Sequence, residues 1–178
     1  PSVKDHFKLE IIKNENDMDV YEIESIDGQI VLRGNNGISL AKGYYAYLQE
    51  FCGCQISWCG DQLNIPSNLP VVPNKIRHVA PLKLRHIMNY CTFNYTCSWW
   101  GWERWQREID FMAMNGINFP LAIVGVETVW YDTLIELGAT DLEARGFISS
   151  PVHVGWQWMA NLEGSGAKKP AFRAWIEK

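Results

Sequence analysis

The chain has 178 residues, of which 47% are hydrophobic and 20% are charged, and its 20 acidic and 16 basic side chains give a net charge of −4. This composition is typical of a packed globular protein and excludes a disordered one. Nucleic acids and anionic membrane surfaces are bound through clusters of Lys and Arg, and this sequence has no such cluster. No apolar run reaches the roughly 18 residues that cross a bilayer. We therefore expect neither a nucleic-acid partner nor a membrane partner.

Residues 1–80 predict a small accessory α/β domain. An Asp-Gly pair before the third predicted strand is a strong hairpin signal. Asn35 and Asn36 offer N-caps for a helix with one apolar face, and Gly53 is placed to end that helix. Residues 60–80 contain three prolines and predict a loop. The predicted strands cover residues 6–12, 19–25, 29–33 and 55–58.

Residues 81–178 predict a different pattern, in which strands alternate with helices. A strand, a helix and a second strand form a right-handed crossover, which implies a parallel sheet. The predicted strands cover 84–90 and 117–124, and the predicted helices cover 102–115, 127–137, 140–147, 154–160 and the start of another at 171–178. A TIM-type barrel has eight such units over about 250 residues, so we expect the first β/α units of an incomplete (β/α) barrel. An open three-layer α/β sheet is the alternative.

Nine Trp residues leave two interpretations open, a Trp-rich core or a surface that stacks on sugar or base rings. In the helix predicted after residue 101, Trp102, Trp105, Ile109 and Met112 share one face, which predicts that this face is buried. Trp156 falls in a segment that predicts a loop, where its ring could stack on a pyranose or plug the rim of a barrel.

Candidate site residues follow the two strands predicted after residue 81, because a barrel binds its ligand at the carboxyl ends of its strands. Asn89 can donate to and accept from a sugar hydroxyl or an acetamido group, or it can cap a loop. Cys91 has no neighbouring base in the sequence that could activate it as a nucleophile. We therefore expect it to form part of the wall of a pocket. Glu127 follows Gly125 and either points into the site or stabilises the first turn of a helix through the helix dipole.

The catalytic pair of a glycosidase is not evident in this sequence. Glycoside hydrolysis usually needs two carboxylates at a defined separation, and Glu127 alone does not supply them. The five cysteines do not complete a zinc pattern with His or with each other, so we expect free, buried thiols and no metal site. The sequence also has no dinucleotide or phosphate-binding glycine motif, so we expect no cofactor.

Three segments together identify a family resemblance. They are NNGISLAKGYYAYLQEFCGCQISW at 35–58, MNYCTFNYTCSWWGWERWQREIDFMAMNGINFPLAIVGVETVW at 88–130, and the GW-x-WM-x-NL run near 155–162. This combination resembles glycoside hydrolase family 89, the α-N-acetylglucosaminidases. The likeness covers about residues 36–178, and the first thirty-five residues fit it more loosely.

The resemblance implies a small N-terminal α/β domain, then a β/α barrel and a helical C-terminal domain. It implies an enzyme that removes terminal α-linked N-acetylglucosamine with retention of configuration, using two glutamates that we expect beyond Lys178. By motif position, the residues implied to bind substrate are Asn89, Cys91, Glu127 and Trp156. The implied partners are the glycan and the remainder of the same enzyme, and the implied location is secreted, periplasmic or lysosomal.

Two other hypotheses remain open on the sequence. The chain could be a non-catalytic carbohydrate-binding module, or a structural fragment whose Trp residues are buried. Because it begins at Pro1 with polar residues, we expect a trimmed chain without a signal peptide. Because the resemblance implies that most of the barrel and the two catalytic glutamates lie outside it, we expect the chain to be inactive by itself.

Overall fold

The computed structural model describes residues 3–14, 16–148 and 154–159. Contacts between residues divide the chain into two units. The first comprises the described residues up to His86 together with Trp102–Pro120, and the second comprises Ile87–Gly101 and the described residues from Leu121 onward. The helix at 102–114 therefore belongs to the same unit as the N-terminal strands.

The described residues form short strands and helices. The strands are β1 (Phe7–Ile11), β2 (Val20–Ile26), β3 (Gln29–Gly34), β4 (Gln55–Ser57), β5 (Gly60–Gln62), β6 (Ile76–Val79), β7 (His86–Ile87) and β8 (Phe119–Pro120). The helices are α1 (Gly37–Cys52), α2 (Tyr90–Thr92), α3 (Trp102–Met114), α4 (Val126–Glu136), α5 (Asp141–Phe147) and α6 (Val154–Trp158), with a 3₁₀ turn at Val3–His6 and a π-helical turn at Phe93–Cys97. This mixed α/β content agrees with the predicted fold class.

A four-stranded sheet in the order β1-β3-β2-β6 is the framework of the first unit. β1 runs parallel to β3, whereas β2 runs antiparallel to both β3 and β6. The predicted Asp-Gly turn is confirmed, since Asp27 and Gly28 both have positive φ (49° and 80°), as a tight hairpin turn requires. The prediction of a loop over 60–80 is wrong in part, because β5 and β6 lie there. β6 is a mostly exposed edge strand and therefore lacks a clear apolar alternation.

Helix α1 covers one face of this sheet, and its ends are those that the sequence predicts. Asn36 is the N-cap and accepts a hydrogen bond from the Ser39 N–H at 2.8 Å, and Gly53 is the C-cap with φ 64°. The buried Tyr45, Tyr47 and Leu48 of α1 join a core with Ile23 and Leu32 of the sheet, among others. The two tyrosine hydroxyls reach backbone carbonyls, at Ile56 (3.1 Å) and Pro70 (2.8 Å) respectively, so their burial leaves no unpaired hydroxyl.

Helix α3 packs against α1, but the buried face differs from the one that the sequence predicts. Trp102 and Ile109 are 66% and 47% exposed, whereas Glu108 is 0% exposed and Met112 is buried. The helix is thus rotated so that a carboxylate lies at the centre of the buried face. Apolar periodicity does not reveal this rotation, because a buried carboxylate is stable only when its hydrogen-bond partners are present, and one of these, Trp58, comes from elsewhere in the chain.

Strands β7 and β8 are much shorter than the predicted strands at 84–90 and 117–124. The Phe119 N–H donates to the Arg85 carbonyl (3.1 Å) and the Leu121 N–H to the Ile87 carbonyl (3.2 Å). From the first hydrogen bond to the second, the residue numbers increase by two on both strands. The strands are therefore parallel, as the sequence predicts. β7 ends where Met88 adopts φ 71°, and β8 contains Pro120, which lacks an N–H, so neither strand extends further.

The second unit is mainly helical where the structure describes it. Helices α4 and α5 agree with the predictions at 127–137 and 140–147. The sequence predicts neither a strand nor a helix over 91–101, but the first part of this segment completes α2 and forms the π-helical turn. Helix α6 agrees with the short helix predicted at 154–160, so the interpretation that Trp156 lies in a loop is wrong. The helix predicted at 171–178 lies outside the described residues.

The cysteines are free thiols, as expected, but not all are buried. Cys54 and Cys97 are buried, Cys52 and Cys91 are partly buried, and Cys59 is exposed. The expectation of burial is therefore wrong for Cys59, which occupies the turn between β4 and β5.

Candidate substrate-binding site

The four predicted site residues all belong to the second unit. Asn89 is the N-cap of α2, and its side-chain oxygen accepts hydrogen bonds from the Thr92 N–H (3.0 Å) and the Thr92 hydroxyl (3.1 Å). The residue is exposed, and its amide nitrogen has no hydrogen-bond partner within the described part of the chain. Asn89 thus caps the helix through its oxygen and keeps two N–H donors available for a ligand.

Met88, directly before Asn89, is a feature of this site that the sequence analysis missed. Its φ of 71° is in the left-handed region, which a long side chain rarely adopts, and its side chain is 7% exposed. Such backbone conformations persist where packing enforces them, and they concentrate at functional sites. A Met carries no sequence signal for positive φ, so only the structure reveals this turn between β7 and α2.

Cys91 is the second residue of α2, the helix that Asn89 caps. It is a partly buried free thiol on α2, and the buried thiol of Cys97 closes the following π-helical turn. π-helical turns are uncommon and often occur at functional sites. The position is compatible with the pocket-wall role predicted for Cys91.

Glu127 is the second residue of α4 and is only 8% exposed. Gly125 precedes the helix with φ 80°, a conformation that suits Gly and that sets the direction in which α4 begins. The helix dipole stabilises a carboxylate in this first turn, which fits the interpretation of Glu127 as a residue that stabilises the start of the helix. Burial of a carboxylate is costly, however, so the position demands compensating polar contacts.

Trp156 is partly buried on α6, and its ring lies against Tyr95 of the π-helical turn. The two ring centroids are 6.3 Å apart with an interplanar angle of 59°. α6 also contacts α2, so the helix of Asn89 and Cys91 lies beside that of Trp156. Tyr95 is 68% exposed and extends this aromatic surface. That Glu127 points into the same site as Asn89 and Trp156 stays a prediction, because the contacts of α4 are mainly with α5.

Two cavities lie elsewhere and are lined wholly by residues of the first unit. Neither includes any of the four predicted residues. Within residues 3–14, 16–148 and 154–159, three or more His, Cys, Asp and Glu side chains do not come together in a way that could hold a metal ion. The helices of the same residues are too short or too polar to span a bilayer.

Two family models match this chain. Residues 1–71 match the alpha-N-acetylglucosaminidase (NAGLU) N-terminal domain, and residues 85–178 match the tim-barrel domain of the same family. The human alpha-N-acetylglucosaminidase is 42% identical over 134 residues, which are 75% of this chain and 18% of the human protein.

Solved structures give the same result. A family 89 glycoside hydrolase from Clostridium perfringens, in complex with 2-acetamido-1,2-dideoxynojirmycin, is 38% identical with a TM-score of 0.87. Its complex with PUGNAc gives a TM-score of 0.89 at 37% identity. Each match covers 98% of this chain and 20% of the bacterial one, so the chain spans about a fifth of the relatives it matches. With both of its halves matched in sequence and its backbone matched almost throughout, the chain belongs to the alpha-N-acetylglucosaminidase family, glycoside hydrolase family 89.

Proposed function

We propose that the whole protein is a retaining exo-α-N-acetylglucosaminidase, of which this chain is the N-terminal portion. One observation carries the proposal: the backbone follows the Clostridium perfringens enzyme over 98% of this chain at 38% identity. A form of that enzyme with two Glu→Gln substitutions holds its substrate GlcNAc-alpha-1,4-galactose. Two carboxylates are what retaining hydrolysis needs, and we place the corresponding pair of this protein beyond Lys178.

The proposed domain organisation is an accessory α/β domain at 1–80 and the start of the catalytic barrel at 81–178. The boundaries of the two family models, 1–71 and 85–178, support this division of the sequence. The remainder of the enzyme is the proposed partner of the chain. Large apolar side chains that are more than half exposed in the second unit support it, since such surfaces usually mark an interface: Tyr95, Trp99, Val129, Leu137 and Leu142.

Within this proposal, Asn89, Cys91, Glu127 and Trp156 contact the terminal sugar and are not the catalytic pair. The free N–H donors of Asn89 suit a hydroxyl or acetamido oxygen, and the Trp156–Tyr95 pair suits the apolar face of a pyranose. The proposed location is secreted, periplasmic or lysosomal, and the proposed role is in carbohydrate metabolism.

The test is a hydrolysis assay on the complete protein. It should release N-acetylglucosamine from an aryl α-N-acetylglucosaminide and not from the β-anomer, and this chain alone should release none. In the complete protein, Asn89→Asp keeps the capping oxygen but removes the N–H donors, so we expect it to lower kcat/KM about tenfold, the loss of roughly one hydrogen bond. Asn14→Asp, a surface change in the first unit, is the matched control. A complete protein without activity on the α-anomer would eliminate the enzyme proposal.

The second candidate is a non-catalytic carbohydrate-binding module, which the exposure of Tyr95 and Trp99 (68% each) favours. Saturable binding of N-acetylglucosamine by a complete protein that lacks hydrolytic activity would support this candidate. Its affinity should then fall on Tyr95→Ala.

A further inference from the structure

A small cavity of about 200 Å³ lies in the first unit, between the end of the sheet, helix α1 and the turn that follows α3. Its size is below the ~300 Å³ at which sites for drug-sized ligands begin, so it admits only a small group. Its walls combine apolar surface from Tyr21, Ile38 and Pro81 with the charged side chains of Asp19, Lys42 and Arg85.

Two of these charges already neutralise one another. The Arg85 guanidinium pairs with the Asp19 carboxylate and also donates to the backbone carbonyls of Gly116 and Leu82. The Asp19 carboxylate further accepts from the Asn36 amide at 2.6 Å and from the Asn118 amide at 3.4 Å. Arg85 and Asp19 therefore form a closed structural clamp and leave no net charge for a ligand.

Lys42 is different. Its ammonium has no ion pair and no hydrogen bond within the described part of the chain, and its nearest recorded partner is the face of the Tyr45 ring, 5.8 Å from the centroid. The side chain is partly buried, and this burial lowers the pKa of Lys42 although the charge of Glu50 acts in the opposite direction. A partly buried cation that forms no ion pair is stabilised by an anion placed beside it, so the cavity favours a negatively charged group.

His78 supplies a second polar group at the cavity. Its ring stacks on Tyr21, with centroids 5.1 Å apart and an interplanar angle of 25°. The exposed ring has no hydrogen-bond partner in the described residues, so one ring nitrogen is available to donate to an anion. One ammonium and one imidazole beside apolar walls suit a singly charged group with a short apolar body.

We propose that the Lys42 cavity binds a small carboxylate, with the Lys42 ammonium as its counter-ion and the Tyr21, Ile38 and Pro81 surfaces around its apolar part. The carboxylate comes either from a small free acid or from an Asp or Glu side chain elsewhere in the complete enzyme. This proposal is independent of the proposed sugar site, since no predicted sugar-site residue lines the cavity.

The experiment titrates the complete protein with propionate by calorimetry at constant ionic strength, with propanol and sulfate as comparison probes. Lys42→Met keeps the aliphatic stem and removes the charge. Lys83→Met, at an exposed lysine paired with Asp17 outside the cavity, is the matched control. Thermal unfolding of the same variants and of Lys42→Arg is measured without propionate.

Saturable propionate binding that weakens at least tenfold in Lys42→Met, and is unchanged in Lys83→Met, supports a free carboxylate as the ligand. No propionate binding, combined with a lower Tm for Lys42→Met that Lys42→Arg restores, supports an internal carboxylate. The proposal is overturned if propanol binds as well as propionate, if Lys42→Met binds propionate like the wild type, or if propionate does not bind and Lys42→Met leaves Tm unchanged.

Discussion

The indole nitrogen of Trp58 donates a hydrogen bond of 3.1 Å to the carboxylate of Glu108, fifty positions later in the chain. The other Glu108 oxygen accepts from Arg104 at 3.0 Å, and the side chain is 0% exposed. Trp58 lies in the part that matches the family's N-terminal domain, and Glu108 in the part that matches its barrel domain. This contact joins α3 to the turn between β4 and β5 within one unit.

Glu108→Ala should lower the free energy of unfolding by about 1–3 kcal/mol, because the Trp58 N–H and the Arg104 guanidinium lose a buried acceptor. Denaturant unfolding measures the change. Glu103→Ala, at an exposed position in the first turn of the same helix, should change the stability by less than about 0.5 kcal/mol. Equal effects of the two substitutions would show that the Glu108 contacts do not stabilise the fold.

Gly34→Ala should destabilise the protein, whereas Gly37→Ala should not. A Cβ on Gly34 would lie 2.7 Å from the Leu40 backbone nitrogen, so the end of β3 or the start of α1 would have to move, at a cost of about 1–3 kcal/mol. A Cβ on Gly37, the first residue of α1, meets nothing within 4 Å. Ala there should stabilise the helix by up to about 1 kcal/mol. A Gly34→Ala variant with the wild-type Tm contradicts the close packing at this position.

Glu22→Gln should be destabilising at neutral pH and less so in acid. Neighbouring strands align Glu10, Arg33, Glu22 and Arg77 in one row of alternating charge. Burial raises the pKa of Glu22, but the hydrogen bonds and the charges of Lys75 and Arg77 together lower it more, so the pKa of Glu22 lies below its usual value.

A carboxylate whose pKa is lower in the folded state stabilises the fold above its unfolded pKa, and this contribution is lost as the pH falls through the folded pKa. The stability difference between the wild type and Glu22→Gln should therefore be about 1 kcal/mol at about pH 7 and should shrink toward about pH 3. Unfolding titrations at both pH values measure it, with Glu136→Gln, an exposed position on α4, as the baseline. A difference that grows in acid would reverse the assigned sign.

At Met88, substitution by Gly should destabilise the protein less than substitution by Ala, which is the reverse of the usual order in a helix. Both substitutions remove a buried side chain, but only Gly relieves the positive φ, so Met88→Gly should be more stable than Met88→Ala by about 1 kcal/mol. Met112, equally buried within α3, is the matched control, and there Ala should be more stable than Gly by about 1 kcal/mol. Thermal unfolding of the four variants tests the prediction. The same order at both positions would mean that Met88 is not strained.

Local signals in the sequence determined several features. The Asp27-Gly28 hairpin, the Asn36 cap and Gly53 stop of α1, and helices α4 and α5 follow from backbone preferences and apolar periodicity within a few residues. The three motif segments at 35–58, 88–130 and 155–162 together carried the family resemblance. Such features depend on neighbours in the chain, so the sequence displays them directly.

Tertiary structure alone decided the buried face of α3, the strand β6, and the conformation of Met88. Glu108 is buried because Trp58 and Arg104 satisfy it, β6 forms because β2 offers a free edge, and Met88 is held in the left-handed region by its surroundings. In each case a stabilising partner, Trp58 or β2, is distant in sequence, or the packing itself stabilises the feature. Burial or backbone strain that depends on such partners does not produce a periodic pattern in the sequence. It therefore becomes evident only in the tertiary structure, where the distant segments are in contact.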